Sequence, residues 1–112
     1  MKTTKRVVNY PVTHYSCNVT INERQFKELE ISQYYRTKIG RSTVNDEVIQ
    51  ELVKQLDNQN DLQRDNKYYA FEPLYIGHRA YNLVWDYDED QPTTILLIID
   101  CYRERKFDLK QK

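Results

Sequence analysis

AYNLVWDYDEDQPTTILLIIDCYRER, residues 80–105, reads as two strands joined by an acidic turn. Tyr81, Leu83, Trp85 and Tyr87 fall on one face at a period of two, and ILLIID at 95–100 is apolar on both faces, as a central strand is. Strands joined by a short turn make a hairpin. In an antiparallel pair the start of one strand lies beside the end of its partner. His78 and Arg79, which open the first strand, are therefore expected beside Tyr102, Arg103, Arg105 and Lys106, which close the second. DYDED (86–90) should lie at the opposite end, as a solvated tip.

Working outward, residues 1–13 are basic, are broken by Pro11 and read as a loose arm. Tyr15, Cys17, Val19 and Ile21 alternate with polar residues, which predicts a half-buried strand. Asn22-Glu23 can turn the chain, and Leu29 and Ile31 share one face of a second segment. The pattern leaves open whether the two form a hairpin or one is helical. Ser32 suits an N-cap, so QYYRTKI (33–39) is expected as a short helix ending at Gly40. In STVNDEVIQELVKQLDN (42–58), Val44, Val48, Ile49, Leu52, Val53 and Leu56 mark one face of a second helix. Asp46 and Glu47 stand in its first turn, where the helix dipole favours acids. Residues 57–67 read as a polar loop, and KYYAFEPLY (67–75) as a strand broken by Pro73. The order implies an α+β fold in one domain, 1–112: a small antiparallel sheet with two helices packed on one face.

Composition narrows the function classes. The 17 cations balance 17 anions, so no global field draws the chain to nucleic acid. The distribution is uneven: residues 1–40 carry seven Lys/Arg and three acids, 41–66 three and six, and 101–112 five and two. Gly40 and Gly77 are the only glycines, which excludes the phosphate-loop and dinucleotide fingerprints. Two Cys and two His without ligand spacing argue against zinc, and no cofactor is expected. The start has no apolar signal segment, and no apolar run approaches the roughly 20 residues that span a bilayer. A cytoplasmic protein with no membrane role, and with Cys17 and Cys101 as buried thiols, is the expectation.

The cationic cluster carries the chemistry. Arginine presents a planar fork to phosphate oxygens, histidine titrates near neutrality, and tyrosine rings offer faces to bases. Metal-free RNA cleavage needs a base at the 2′-hydroxyl, an acid at the leaving oxygen and cations around the phosphorane. His78, Arg79, Tyr102 and Arg103 are candidates for these catalytic roles; Arg105, Lys106, Tyr35 and Arg36 are candidates for RNA binding. Lys38 and Arg41 extend the basic surface. The plainer reading is that these cations solvate a strand end and pair with Glu104 or Asp108.

The strand–acidic turn–apolar strand order of 80–105, closed by a cationic run, resembles the C-terminal hairpin of RelE/ParE-type toxins of bacterial toxin–antitoxin pairs. The resemblance implies a RelE-like fold, an endoribonuclease acting on RNA or at the ribosome, and a cognate antitoxin as partner. Arg103 matches the transition-state arginine of that group. Asn82 stands where its ribosome-dependent nucleases carry an arginine, and Leu109 where their catalytic tyrosine would lie. The other class the sequence leaves open is a non-catalytic interaction protein: a gyrase-binding ParE-like toxin, or an antitoxin or immunity partner. Zero net charge favours that second class.

Overall fold

The computed structural model describes residues 10–64, 67–70, 72–86 and 95–110. Its strands are β1 (Val12–Ile21), β2 (Arg24–Ser32), β3 (Asp61–Arg64), β4 (Lys67–Ala70), β5 (Leu74–Ile76), β6 (Arg79–Asp86) and β7 (Ile95–Arg103). Six lie side by side in the order β1-β2-β7-β6-β4-β3, and β5 pairs with the rest of the β6 edge that β4 leaves. One α-helix, α1 (Asp46–Lys54), accompanies them, with 3-10 turns at Gln33–Thr37 and Arg105–Phe107.

The β6–β7 hairpin forms as its alternation requires. Tyr81 faces Arg103, Leu83 faces Cys101 and Trp85 faces Ile98, with a bulge between Val84 and Trp85. β7 is central because it is apolar on both sides: β6 takes one edge and β2 the other, in parallel, pairing Leu29 with Leu96 and Ile31 with Ile98. β1 and β2 are an antiparallel hairpin. Its two-residue turn puts Asn22 at φ 51° and Glu23 at φ 68°, the left-handed pair that matches strand twist. A second tight turn, with Gly77 at φ 60°, joins β5 to β6. The break around Pro73 falls between β4 and β5, so that stretch supplies two short strands instead of one.

The two-helix expectation is wrong, and so is the small all-antiparallel RelE-like sheet: the described residues form a large mixed sheet with one short helix. Ser32 does cap the first segment, accepting from the Tyr34 N–H at 3.2 Å. The turn then lasts only five residues, Gln33–Thr37. Two aromatics and a β-branched threonine make it a poor helix former, and the Thr37 hydroxyl bonds back to the Tyr34 carbonyl at 2.7 Å. The second segment is helical over nine residues only. Asn45 caps it, taking the Val48 N–H at 2.8 Å. Residues 57–67 were expected as loop, yet 61–64 pair with β4, because an edge strand needs a ladder partner more than an apolar face. β1 begins at Val12, so the loose-arm expectation ends short of Val12–Thr13; residues 1–9, and the acidic tip 87–90 with Tyr87, lie outside the described residues.

The helix closes one face of the sheet. Ile49, Leu52, Val53 and Leu56 are buried in one core with Phe26, Leu29, Ile31, Leu83, Trp85 and Ile98. Cys101 is fully buried there, and burial pushes its thiol up to about 12. Cys17 is only half-buried, a correction to the expectation for it; partial burial raises its pKa and leaves the thiol protonated near neutrality. No helix among the described residues is long and apolar enough to cross a membrane.

Candidate functional site

The hairpin brings two groups of cations to one end of the sheet, and the fold treats them differently. Leu109 donates its N–H to the His78 carbonyl at 2.8 Å, and Glu104 donates to the Ala80 carbonyl at 2.9 Å. The C-terminal segment is thereby folded back over the start of β6. This places His78 and Arg79 beside residues 103–109, as the antiparallel pairing requires.

Arg103 is consumed there. Its side chain is only 8% exposed, and its Nη2 donates to Asp108 Oδ2. Its Nε donates to the Ala80 carbonyl at 3.3 Å, and its guanidinium lies 5.5 Å from the Tyr81 ring centre. Asp108 in turn accepts the Ala80 N–H at 2.7 Å. That backbone bond and the neighbouring Arg103 charge hold the carboxyl below its usual range. An arginine satisfied in this way is a brace between β6 and the C-terminal segment.

Asn82 is buried and bridges backbone: its Oδ1 accepts from Ala70 N at 3.1 Å and Leu83 N at 2.7 Å, and its Nδ2 donates to Glu104 at 3.2 Å. Leu109 is exposed. Tyr102 is half-buried opposite Asn82, with the Arg41 guanidinium 5.7 Å from its ring centre. Arg79, Arg105 and Lys106 are exposed, and His78 is half-buried.

Tyr35 and Arg36 belong to a different cluster, whose centre is Asp46. The Tyr35 hydroxyl donates to Asp46 Oδ1 at 2.7 Å, Thr13 and Tyr15 donate to Oδ2 at 2.7 and 2.8 Å, and Gln33 reaches Oδ1 at 3.3 Å. Arg36 Nη2 stands 3.8 Å away. One carboxylate thus ties β1, the 3-10 turn and α1 together. Burial pushes the Asp46 pKa up, but the hydrogen bonds from Tyr35, Thr13, Tyr15 and Gln33 outweigh it and hold the carboxyl below its usual range. Tyr35 is raised well above the ordinary phenol value, by burial first and then by its bond to Asp46. Its ring is 1% exposed and cannot stack on a base.

Between these clusters runs the loop 36–42. Arg41 pairs with Asp100 through two nitrogens, at 2.8 and 3.3 Å, and so pins the loop to β7 beyond the last β2 partner. Two open clefts flank it and share Gly40 and Arg41. The larger, about 520 Å³, includes Ile39, Tyr69, Asp100, Tyr102, Arg103 and Arg105 in its lining; the smaller, about 350 Å³, includes Arg36, Lys38 and Ser42. Ile39 at the loop tip is 100% exposed. No group of three His, Cys, Asp or Glu side chains among the described residues is placed to hold a metal ion.

Of the eight candidate residues, the fold unites His78, Arg79, Arg103, Arg105 and Lys106 at the hairpin end. It sets Tyr102 in the cleft beside the loop, and Tyr35 and Arg36 at the Asp46 cluster. Sequence reasoning named Asp108 as a partner for these cations but missed Asp46 and Asp100, although Asp46 stands out as a first-turn acid. The signal lay in pairing each cation or phenol with a carboxylate distant in sequence, which only the register supplies. Comparison of the chain with protein-family models, curated proteins and solved structures finds no match.

Proposed function

We propose that this protein is a non-catalytic interaction module that engages a partner protein through its basic surface, in the manner of an antitoxin, an immunity protein or a gyrase-directed toxin. The observation that carries this reading is the state of Arg103. A transition-state arginine must reach a phosphate, whereas this one is 8% exposed and bound to Asp108 and the Ala80 carbonyl. Releasing it would leave Asp108 without its counter-charge. Zero net charge supports the same reading, because it supplies no long-range attraction for RNA.

A metal-independent endoribonuclease acting on RNA, alone or at the ribosome, is the second reading. What favours it is the gathering of His78, Arg79, Arg105 and Lys106 at one end of the hairpin. Induction in a host cell with mapping of RNA ends separates the two. The binding reading expects no new RNA ends, with purified protein or with ribosomes supplied. RNA cleavage lost in Arg103→Ala, while the melting curve is kept, would overturn it and establish the nuclease.

A further inference from the structure

We infer that the loop 36–42 is the docking surface, and that its partner is an acidic protein segment carrying an apolar side chain among its carboxylates. The inference rests on the non-catalytic reading above and gives it a place and a chemistry. Charge complementarity carries it. Arg36, Lys38 and Arg41 all line the smaller cleft, and no carboxylate is among its described lining residues. The larger cleft adds Arg105 and the Asp108-bound Arg103; Asp100 is the one carboxylate among its described lining residues, and it is already engaged by Arg41. The ridge between the clefts therefore presents positive charge on both sides, with Lys38 and the Arg36 side chain in solvent.

The tip adds specificity. Ile39 stands fully exposed between Lys38 and the Gly40–Arg41 pair, whereas Ile21, Ile31, Ile49 and Ile98 are all fully buried. An apolar side chain there gains nothing in solvent but has area to bury against an apolar partner residue. Gly40, at φ 89° with nothing near a built Cβ, gives the tip its tight left-handed turn without blocking approach. The loop is held at both ends, by Tyr35 on Asp46 and by Arg41 on Asp100, so little ordering cost remains on binding. RNA fits less well. The Tyr35 ring is buried, and Tyr34 is occupied by Tyr10 edge-on at 5.2 Å and by the Lys38 ammonium at 5.1 Å. Neither of the two tyrosines that lead into the loop therefore offers an open face to a base.

The test titrates the full ¹⁵N-labelled chain with three probes. They are an acidic synthetic peptide bearing one leucine, the same peptide with serine for leucine, and a uridine oligonucleotide of equal charge. The leucine peptide should shift amides at 36–41 and 102–105 and bind more tightly than the serine peptide. Lys38→Glu should weaken it about tenfold. Ile39→Ser should erase the preference for leucine while leaving the serine peptide unaffected. Silent amides at 36–41, or tighter binding of the oligonucleotide through them, would overturn the docking inference. RNA cleavage measured on the same sample would overturn the non-catalytic reading, so the two failures are distinct.

Discussion

The end of the β6–β7 hairpin and the loop 36–42 are both basic, yet the fold uses their cations in opposite ways. At the hairpin end the carboxylate Asp108 sits on the candidate guanidinium itself, and Arg103 becomes a brace. At the loop the carboxylates Asp46 and Asp100 hold the two ends, and Lys38 with Ile39 is left in solvent between them. A cation's role is thus decided by where the nearest carboxylate falls. A cation run in a sequence does not carry that information.

Breaking the loop's base should have the largest effect. Asp46→Ala leaves the buried Tyr35 hydroxyl without its acceptor and releases Thr13, Tyr15 and Gln33 as well. A hydrogen bond to a charged acceptor is worth about 1.5–3 kcal/mol, so losing the buried Tyr35 bond together with the partly buried ones should cost about 3–5 kcal/mol by chemical denaturation. A loss below about 1 kcal/mol, the worth of one ordinary hydrogen bond, would mean that the cluster does not anchor the loop.

Arg103→Ala comes next. The Arg103–Asp108 bond is charge-assisted and sheltered on the arginine side, so its loss should cost about 1.5–3 kcal/mol. Asp108→Ala should also destabilise, and the double variant should lose less than the sum of the two, because both remove one interaction. Additive losses would show that the brace does not form in solution, and would return Arg103 to the list of cations open to a ligand.

Titration sharpens the contrast further. Asp46 and Asp108 both lie below the ordinary 3.8, so each contributes stability that is present above that pH and is lost as pH falls through its folded value. Tyr35 lies above the ordinary 10.0, so its contribution is complete below pH 10.0 and is lost as pH rises beyond it. The loop's base therefore fails at both extremes, the hairpin brace in acid alone. In Asp46→Asn the acid-side loss should shrink, and the alkaline loss should shrink but persist, because burial is the first cause of the tyrosine's shift. Stability measured against pH for wild type and Asp46→Asn checks both arms.

The parts of the fold legible in the sequence were those set by local periodicity. Tyr81, Leu83 and Trp85 alternate, and the hairpin with Arg103 beside the start of β6 follows from that alone. Ser32 as a cap and Asn22-Glu23 as a turn are local chemistry too. What escaped was non-local. The parallel pairing of Leu29 with Leu96 joins residues far apart in the chain, and the polar residues 61–64 become a strand only because β4 offers them a ladder. The candidate site failed to be legible for the same reason. Which of Glu104 and Asp108 reaches Arg103 depends on how the segment after β7 folds back onto Ala80, and no spacing encodes it.

The smallest expected effect on stability is at Lys38, and it decides the comparison. Lys38 is exposed, its ammonium rests 5.1 Å from the Tyr34 ring centre, and its backbone N–H, which a substitution keeps, bonds the Tyr35 carbonyl at 3.2 Å. Lys38→Ala should therefore change stability by no more than about 0.5 kcal/mol, as exposed substitutions do. A surface cation-π contact is worth about 0.5–1 kcal/mol, so a loss at the top of that range would assign Lys38 to the fold and not to a partner. The same variant should weaken the acidic peptide severalfold and flatten the salt dependence of its binding, since a rim charge acts through long-range attraction. Arg103→Ala should do the reverse, lowering stability more and peptide affinity less than Lys38→Ala does, because Arg103 lines the larger cleft but its charge is held by Asp108. If Lys38→Ala destabilises and Arg103→Ala abolishes binding, the two basic regions have been assigned the wrong way round.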